Sequence, residues 1–115
     1  MKEPRFLTNR AQYALVYRQG KAWADNLLVM KAMPNGLGLS RYGFSVTKKV
    51  GKAVRRNRLK RLLREIMKLQ LLRPGWDIVF MARSVAVDSS YHQLKRAVTR
   101  LLVRGQLLES NEWPN

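Results

Sequence analysis

Apolar positions along the chain change their period from one segment to the next, and each period names an element. From Asn9 to Arg18, Ala11, Tyr13, Ala14, Val16 and Tyr17 recur at helical spacing, with Thr8 placed to cap that helix and Gly20 to end it in a left-handed conformation. Ala22 to Ala32 carries Trp23, Leu27, Leu28, Val29 and Met30 and halts at Pro34-Asn35-Gly36, which predicts an extended run followed by a turn. Tyr42, Phe44 and Val46 alternate with Gly43, Ser45 and Thr47, the period of a strand with one face on a core. Beyond Gly51 the period returns to helical: Leu59, Leu62, Leu63, Ile66 and Leu69 form a stripe that Pro74-Gly75 stops. Asp77 to Ala82 is a short apolar run suited to a buried strand. Asp88, Ser89 or Ser90 can cap a last helix striped by Tyr91, Leu94, Val98, Leu101 and Leu102, with Gly105 just past its end. Asn111 to Asn115 is expected to be loose. Helix, strands, helix, strand, helix, without repeat or linker, predicts a compact α+β sandwich, and 115 residues suit a single domain over 1–115.

Charge narrows the picture further. Lys and Arg number 23 against 7 Asp and Glu, a formal net charge of +16, which predicts a polyanionic partner. Nucleic acid and an anionic membrane both qualify. The longest run free of charge, Ala32 to Ser40, contains Pro34, Asn35, Gly36 and Gly38 and is a turn, whereas a spanning helix needs about 20 mostly apolar residues. Met1 to Arg5 leads into no signal-like apolar stretch. The expectation is a soluble, cytoplasmic protein that engages no membrane. With no cysteine, a disulfide framework, a thiolate metal site and cysteine chemistry are all excluded.

The charge is also local. Nine cations fall within the seventeen residues from Lys48 to Arg64: Lys48, Lys49, Lys52, Arg55, Arg56, Arg58, Lys60, Arg61 and Arg64. No acid occurs between Asp25 and Glu65 to offset them. At 100° per residue, Leu59, Leu62, Leu63 and Ile66 turn toward the core, while Arg56, Asn57, Lys60 and Arg64 share the other side, continued by Arg61 and Lys68. Like charges on one helix repel, a cost that a bound polyanion offsets. Arg grips phosphate oxygens in pairs, Lys adds a point charge, and Asn57 both donates to and accepts from a base edge or a 2′-hydroxyl.

Autonomous catalysis has little to work with. One His and seven scattered acids offer no pair of carboxylates at a local metal-ligand spacing, and His92 reads as a surface side chain. Neither a catalytic residue nor a protein metal site is expected. Tyr13 and Tyr17 lie four apart and so share a helix face, where aromatic rings serve either as core or as a platform for unpaired bases. Trp23 and Trp76 flank strands and read as core. Lys95, Arg96, Arg100 and Arg104 charge the last helix and offer either a solvated face or a second RNA contact.

The stretch GFSVTKKVGKAVRRNRLKRLLRE from Gly43 to Glu65 resembles the signature of the bacterial ribonuclease P protein, with Arg56-Asn57-Arg58, Lys60-Arg61 and Arg64-Glu65 similar to that family's Arg-Asn-Arg motif. The similarity continues on both sides, in Tyr13-x-x-x-Tyr17-x-x-Gly20 and in Asp77 to Arg83, and so covers nearly the whole chain. The resemblance implies a two-layer sandwich of a mixed central sheet with three helices, like a ribosomal-protein domain, with a left-handed βαβ crossover into the long helix. It implies a protein that binds a catalytic RNA, which itself holds the Mg²⁺ for phosphodiester hydrolysis, and the single-stranded 5′ leader of precursor tRNA, with one protein per RNA. By position, Arg56, Asn57, Lys60, Arg61 and Arg64 would face the RNA, with Lys48, Lys49, Lys52, Arg55 and Arg58 in the same RNA-binding segment. Tyr13, Tyr17 and Phe44 would line the leader cleft, where Lys31 stands near a position that the family often fills with an aromatic.

Two other readings share the charge. A structural ribosomal protein would share the charge but would not support cleavage of precursor tRNA. A DNA-binding regulator would place the basic helix in a major groove, yet a strand, not a paired helix, precedes it here.

Overall fold

The computed structural model describes residues 4–109. They form a five-stranded sheet of β1 (Arg5–Phe6), β2 (Lys21–Ala24), β3 (Leu28–Pro34), β4 (Arg41–Ser45) and β5 (Trp76–Ala82), with helices α1 (Arg10–Gln19), α2 (Ala53–Lys68) and α3 (Tyr91–Arg104). The strand order is β1-β4-β5-β3-β2, so the last strand made is the central one. β1, β4 and β5 run parallel, while β3 is antiparallel to both β5 and β2, which makes the sheet mixed.

Alternation assigns the two faces. Leu28, Met30, Ala32, Tyr42, Ile78 and Phe80 point to one side and share a core with Leu59, Leu63, Ile66 and Met67 of α2 and Leu94, Val98, Leu101 and Leu102 of α3. On the other side Val79 is fully buried with Leu7 and Val16, and Tyr13, Tyr17, Met33 and Met81 pack around them. The expected mixed sheet with three helices is present. The helices do not share one layer, however: α1 alone covers the second face, because Val16, Tyr13 and Tyr17 give it one apolar stripe of its own.

Several local expectations change. The run from Ala22 to Ala32 is a hairpin and not one extended segment, since the Asp25 carboxylate accepts from the Leu27 backbone N–H at 3.0 Å and turns the chain between β2 and β3. Asn9, not Thr8, caps α1, accepting from the Gln12 N–H while the Gln12 side chain accepts from the Asn9 N–H. Gly20 is extended (φ −71°, ψ 145°) and not left-handed; a Cβ there would stand 2.5 Å from the Val16 carbonyl oxygen, so glycine is needed for a close approach. Leu69 lies past the end of α2 and is exposed. Ser90 caps α3 with a reciprocal bond from Gln93. Asn111 to Asn115, with Trp113, lie outside the described residues.

Candidate nucleic-acid interface

The basic segment begins before its helix. Lys48 and Lys49 sit on a 3₁₀ turn, Gly51 takes φ 155°, and Lys52 precedes α2 without a side-chain cap. The contrast with α1 and α3, which both carry a full capping box, is informative. In α2 the first turn has no acid and holds Arg55 and Arg56, opposite in sign to what the helix dipole favours at an N-terminus. Free backbone N–H groups and cations together form an end suited to an anion.

Burial resolves the helix into flanks. Leu59, Leu63, Ile66 and Met67 are buried, while Asn57, Arg61, Arg64 and Lys68 are exposed. Arg56 and Lys60 are half-buried, with the Arg56 Nε buried and lacking a hydrogen-bond partner. Arg64 lies close enough to Tyr42 on β4 to favour its phenolate, although burial dominates and raises the Tyr42 phenol above its usual range. Arg55 and Arg58 depart from the rest: Arg55 pairs with Asp88 at 3.3 Å and Arg58 donates to the Ser89 carbonyl at 3.3 Å, so both are turned toward the start of α3. Among the described residues Lys48, Lys49, Lys52, Lys60, Arg61 and Arg64 make no ion pair. The free cations thus gather along one flank and the outer side of α2.

The aromatic pair is on the opposite face of the sheet. Tyr13 and Tyr17 stand with ring centroids 6.4 Å apart and tilted by 50°, both half-buried above Val79 and Met81. Burial raises the Tyr13 phenol, opposed by hydrogen bonding with the Phe44 backbone. Gly43 makes this position possible, because any Cβ there would collide with the Tyr13 ring and hydroxyl. The glycine of the Gly43-Phe44-Ser45-Val46 run is therefore where the strand yields room to α1, a role that alternation alone does not disclose.

Phe44 does not join the two tyrosines. Its neighbours in the strand point the other way, and its ring packs 5.8 Å from Tyr42 and 6.4 Å from Phe80 on the α2 side. Period-two geometry places Gly43, not Phe44, under Tyr13. Lys31 is on the tyrosine face, where its ammonium donates to the Tyr17 carbonyl at 2.8 Å, so the cation anchors the end of α1. Sequence reasoning also missed the ion pair on this side at the start of β4 and β5: Arg41 donates to both oxygens of the buried Asp77 at 2.8 and 2.6 Å, and Asn35 donates to the same carboxylate at 2.9 Å. An acid opening a strand gives no signal of its cross-strand cation until the register is known.

On α3 the basic face is partly committed to structure. Arg100 pairs with Asp25 at 3.7 Å and Arg104 donates to the Ala24 carbonyl at 2.7 Å, so both hold the β2–β3 hairpin. His92 is exposed, edge-on to Tyr91. Trp23 and Trp76 are half-buried against the main core. Among the described residues no group of three or more His, Asp or Glu side chains converges as a metal site, and no helix is long and apolar enough to cross a membrane.

Known proteins share this fold. A family model described as ribonuclease P matches residues 1–106. The chain belongs to the ribonuclease P protein family. A ribonuclease P protein component from Dehalococcoides mccartyi strain 195 is 48% identical, covering 97% of this chain and 94% of that protein. One from Caldanaerobacter subterraneus subsp. tengcongensis is 44% identical over 92% and 93%. Among solved structures, the ribonuclease P protein of Thermotoga maritima superposes with a TM-score of 0.79 at 31% identity over 91% of this chain and 98% of that one. That of Staphylococcus aureus gives 0.80 at 28% identity over 91% and 97%. Membership makes this chain a protein component of a ribonucleoprotein nuclease of tRNA processing.

Proposed function

We propose that this chain docks on the catalytic RNA of ribonuclease P through α2 and guides the 5′ leader of precursor tRNA across the Tyr13–Tyr17 face, in the cytoplasm and with one protein per RNA. The observation that carries the reading is the α2 flank, where Arg56, Lys60 and Arg64 stand beside Asn57 on an uncapped helix whose first turn has no acid. Phosphates would take the guanidinium and ammonium groups, and Asn57 a 2′-hydroxyl or base edge. The two tyrosine rings would stack unpaired leader bases, with Gly43 setting the depth of the Tyr13 ring. Phe44 is left out of this surface because it belongs to the core of the other face.

Mg²⁺ bound by the RNA would supply the activated water and stabilise the leaving oxygen. The protein's residues bind and orient; none is assigned to the chemistry. Reconstitution tests the assignment: with a bacterial ribonuclease P RNA at low Mg²⁺ and physiological salt, added protein is expected to raise cleavage of precursor tRNA at the mature 5′ end. Cleavage indifferent to the protein would refute it.

A further inference from the structure

α1 does not end at Tyr17. Two residues further on, Gln19 closes the helix and reaches a pocket at the end of the sheet, which it lines with Lys21, Trp23, Ala32, Trp76 and Gly105. Its volume, about 320 Å³, is at the small end for a ligand pocket. Two half-buried tryptophans on one pocket are unusual in so small a chain, and each leaves part of its ring uncovered. The Lys21 ammonium stands 5.5 Å from the centre of the Trp23 ring, over its electron-rich face, and the exposed Gln19 amide can both donate and accept. Gly105 is confined by its neighbours: a Cβ there would stand 3.0 Å from the Met30 Cε.

We infer that this pocket is a subsite for an unpaired nucleotide of single-stranded RNA. An indole face takes the base, Lys21 moves from the ring to the phosphate, and Gln19 meets the base edge. The inference rests on the leader reading: Gln19 at the end of α1 lines this pocket, so a strand leaving Tyr13 and Tyr17 reaches the tryptophans, which pack on the other face, by rounding the β2 edge of the sheet. Aromatic ring, cation and amide together are the elements by which proteins hold single-stranded RNA. The +16 charge of the chain argues against a cationic or neutral peptide as the occupant.

The holoenzyme tests it with precursor tRNAs carrying leaders of increasing length. Affinity is expected to rise with length in two steps. Lys21→Glu, at an exposed edge position, removes only the outer step, by at least about fivefold, the lower end for one stacked base. Tyr17→Ala removes the inner step. Lys95→Glu, an equal change of charge on the outer side of α3, removes neither. In a Trp113→Phe background, long leaders quench tryptophan emission and short ones do not, and Trp76→Phe reduces that quenching. If Lys21→Glu leaves the length dependence intact while Tyr17→Ala lowers it, the pocket is no subsite and the cleft stands. If Lys95→Glu weakens long leaders as much as Lys21→Glu, the effect is net charge alone and the subsite is refuted. If Tyr17→Ala is also without effect, cleft and subsite fall together.

Discussion

Arg56 and Lys60 carry the most direct consequence at the level of single residues. Both are half-buried on α2 and neither has an acidic partner among the described residues, so their removal should leave the fold intact. Arg56→Ala with Lys60→Ala is expected to weaken RNA binding and to lower the slope of log affinity against log salt by about 1.5, two phosphate contacts' worth. A salt titration of binding reads this, and an unchanged slope moves the RNA contact elsewhere. Asp77 differs, being 2% exposed and gripped by Arg41 and Asn35. Asp77→Ala strands the Arg41 guanidinium and is expected to cost about 3 kcal/mol, visible as a fall in Tm of at least 10 °C. Tyr42, like Tyr13, contributes to the alkaline limit. Its phenol is raised above the usual 10.0, so between that pH and its folded-state value the unfolded chain has fewer bound protons and stability falls as pH rises. Denaturant titrations above pH 10 are expected to show a shallower decline for Tyr42→Phe.

Among the elements, β4 joins the two surfaces. Tyr42 lies toward α2 and Gly43 toward α1, so one strand serves the proposed docking flank and the proposed leader face on alternate residues. Gly43→Ala is expected to push the Tyr13 ring outward, to mimic Tyr13→Ala in reducing the affinity gained from a leader, and to leave the salt slope of RNA docking unchanged. Paired measurements on precursor and mature tRNA separate these effects. Most helices and strands were legible from apolar period, because α2 and α3 each bury one stripe and β4 and β5 carry apolar inward residues. The basic ridge was legible for the same reason: whatever α2 does not bury must lie outside. What escaped depends on short-range competition or on neighbours distant in sequence. Thr8 and Asn9 are both good caps, and only the position of Gln12 decides between them. The resemblance places Phe44 in the leader cleft, but Phe80 stands opposite it in the register and its ring packs on the other face. Arg55 and Arg58 looked like the other cations until Asp88 and Ser89 were placed beside them.

For the whole molecule, strand order was the part hidden from the pattern, since pairing joins segments whose apolar period says nothing of who lies beside whom. β5 is at the middle, flanked by β4 and β3, and its Val79 and Met81 floor the tyrosine face while Ile78 and Phe80 hold the two long helices. A ribosome making this chain therefore delivers its most cationic segment well before the strand that completes the sheet. Until Ala82 has been added, a gap stands between β4 and β3, α1 rests on β3 without β5, and nine cations are displayed without the finished sheet beneath them. Chains stalled short of Trp76 are expected to bind structured and unstructured RNA with similar, strongly salt-dependent affinity. Discrimination should appear only once residues 76–82 can reach the gap kept for them between β4 and β3.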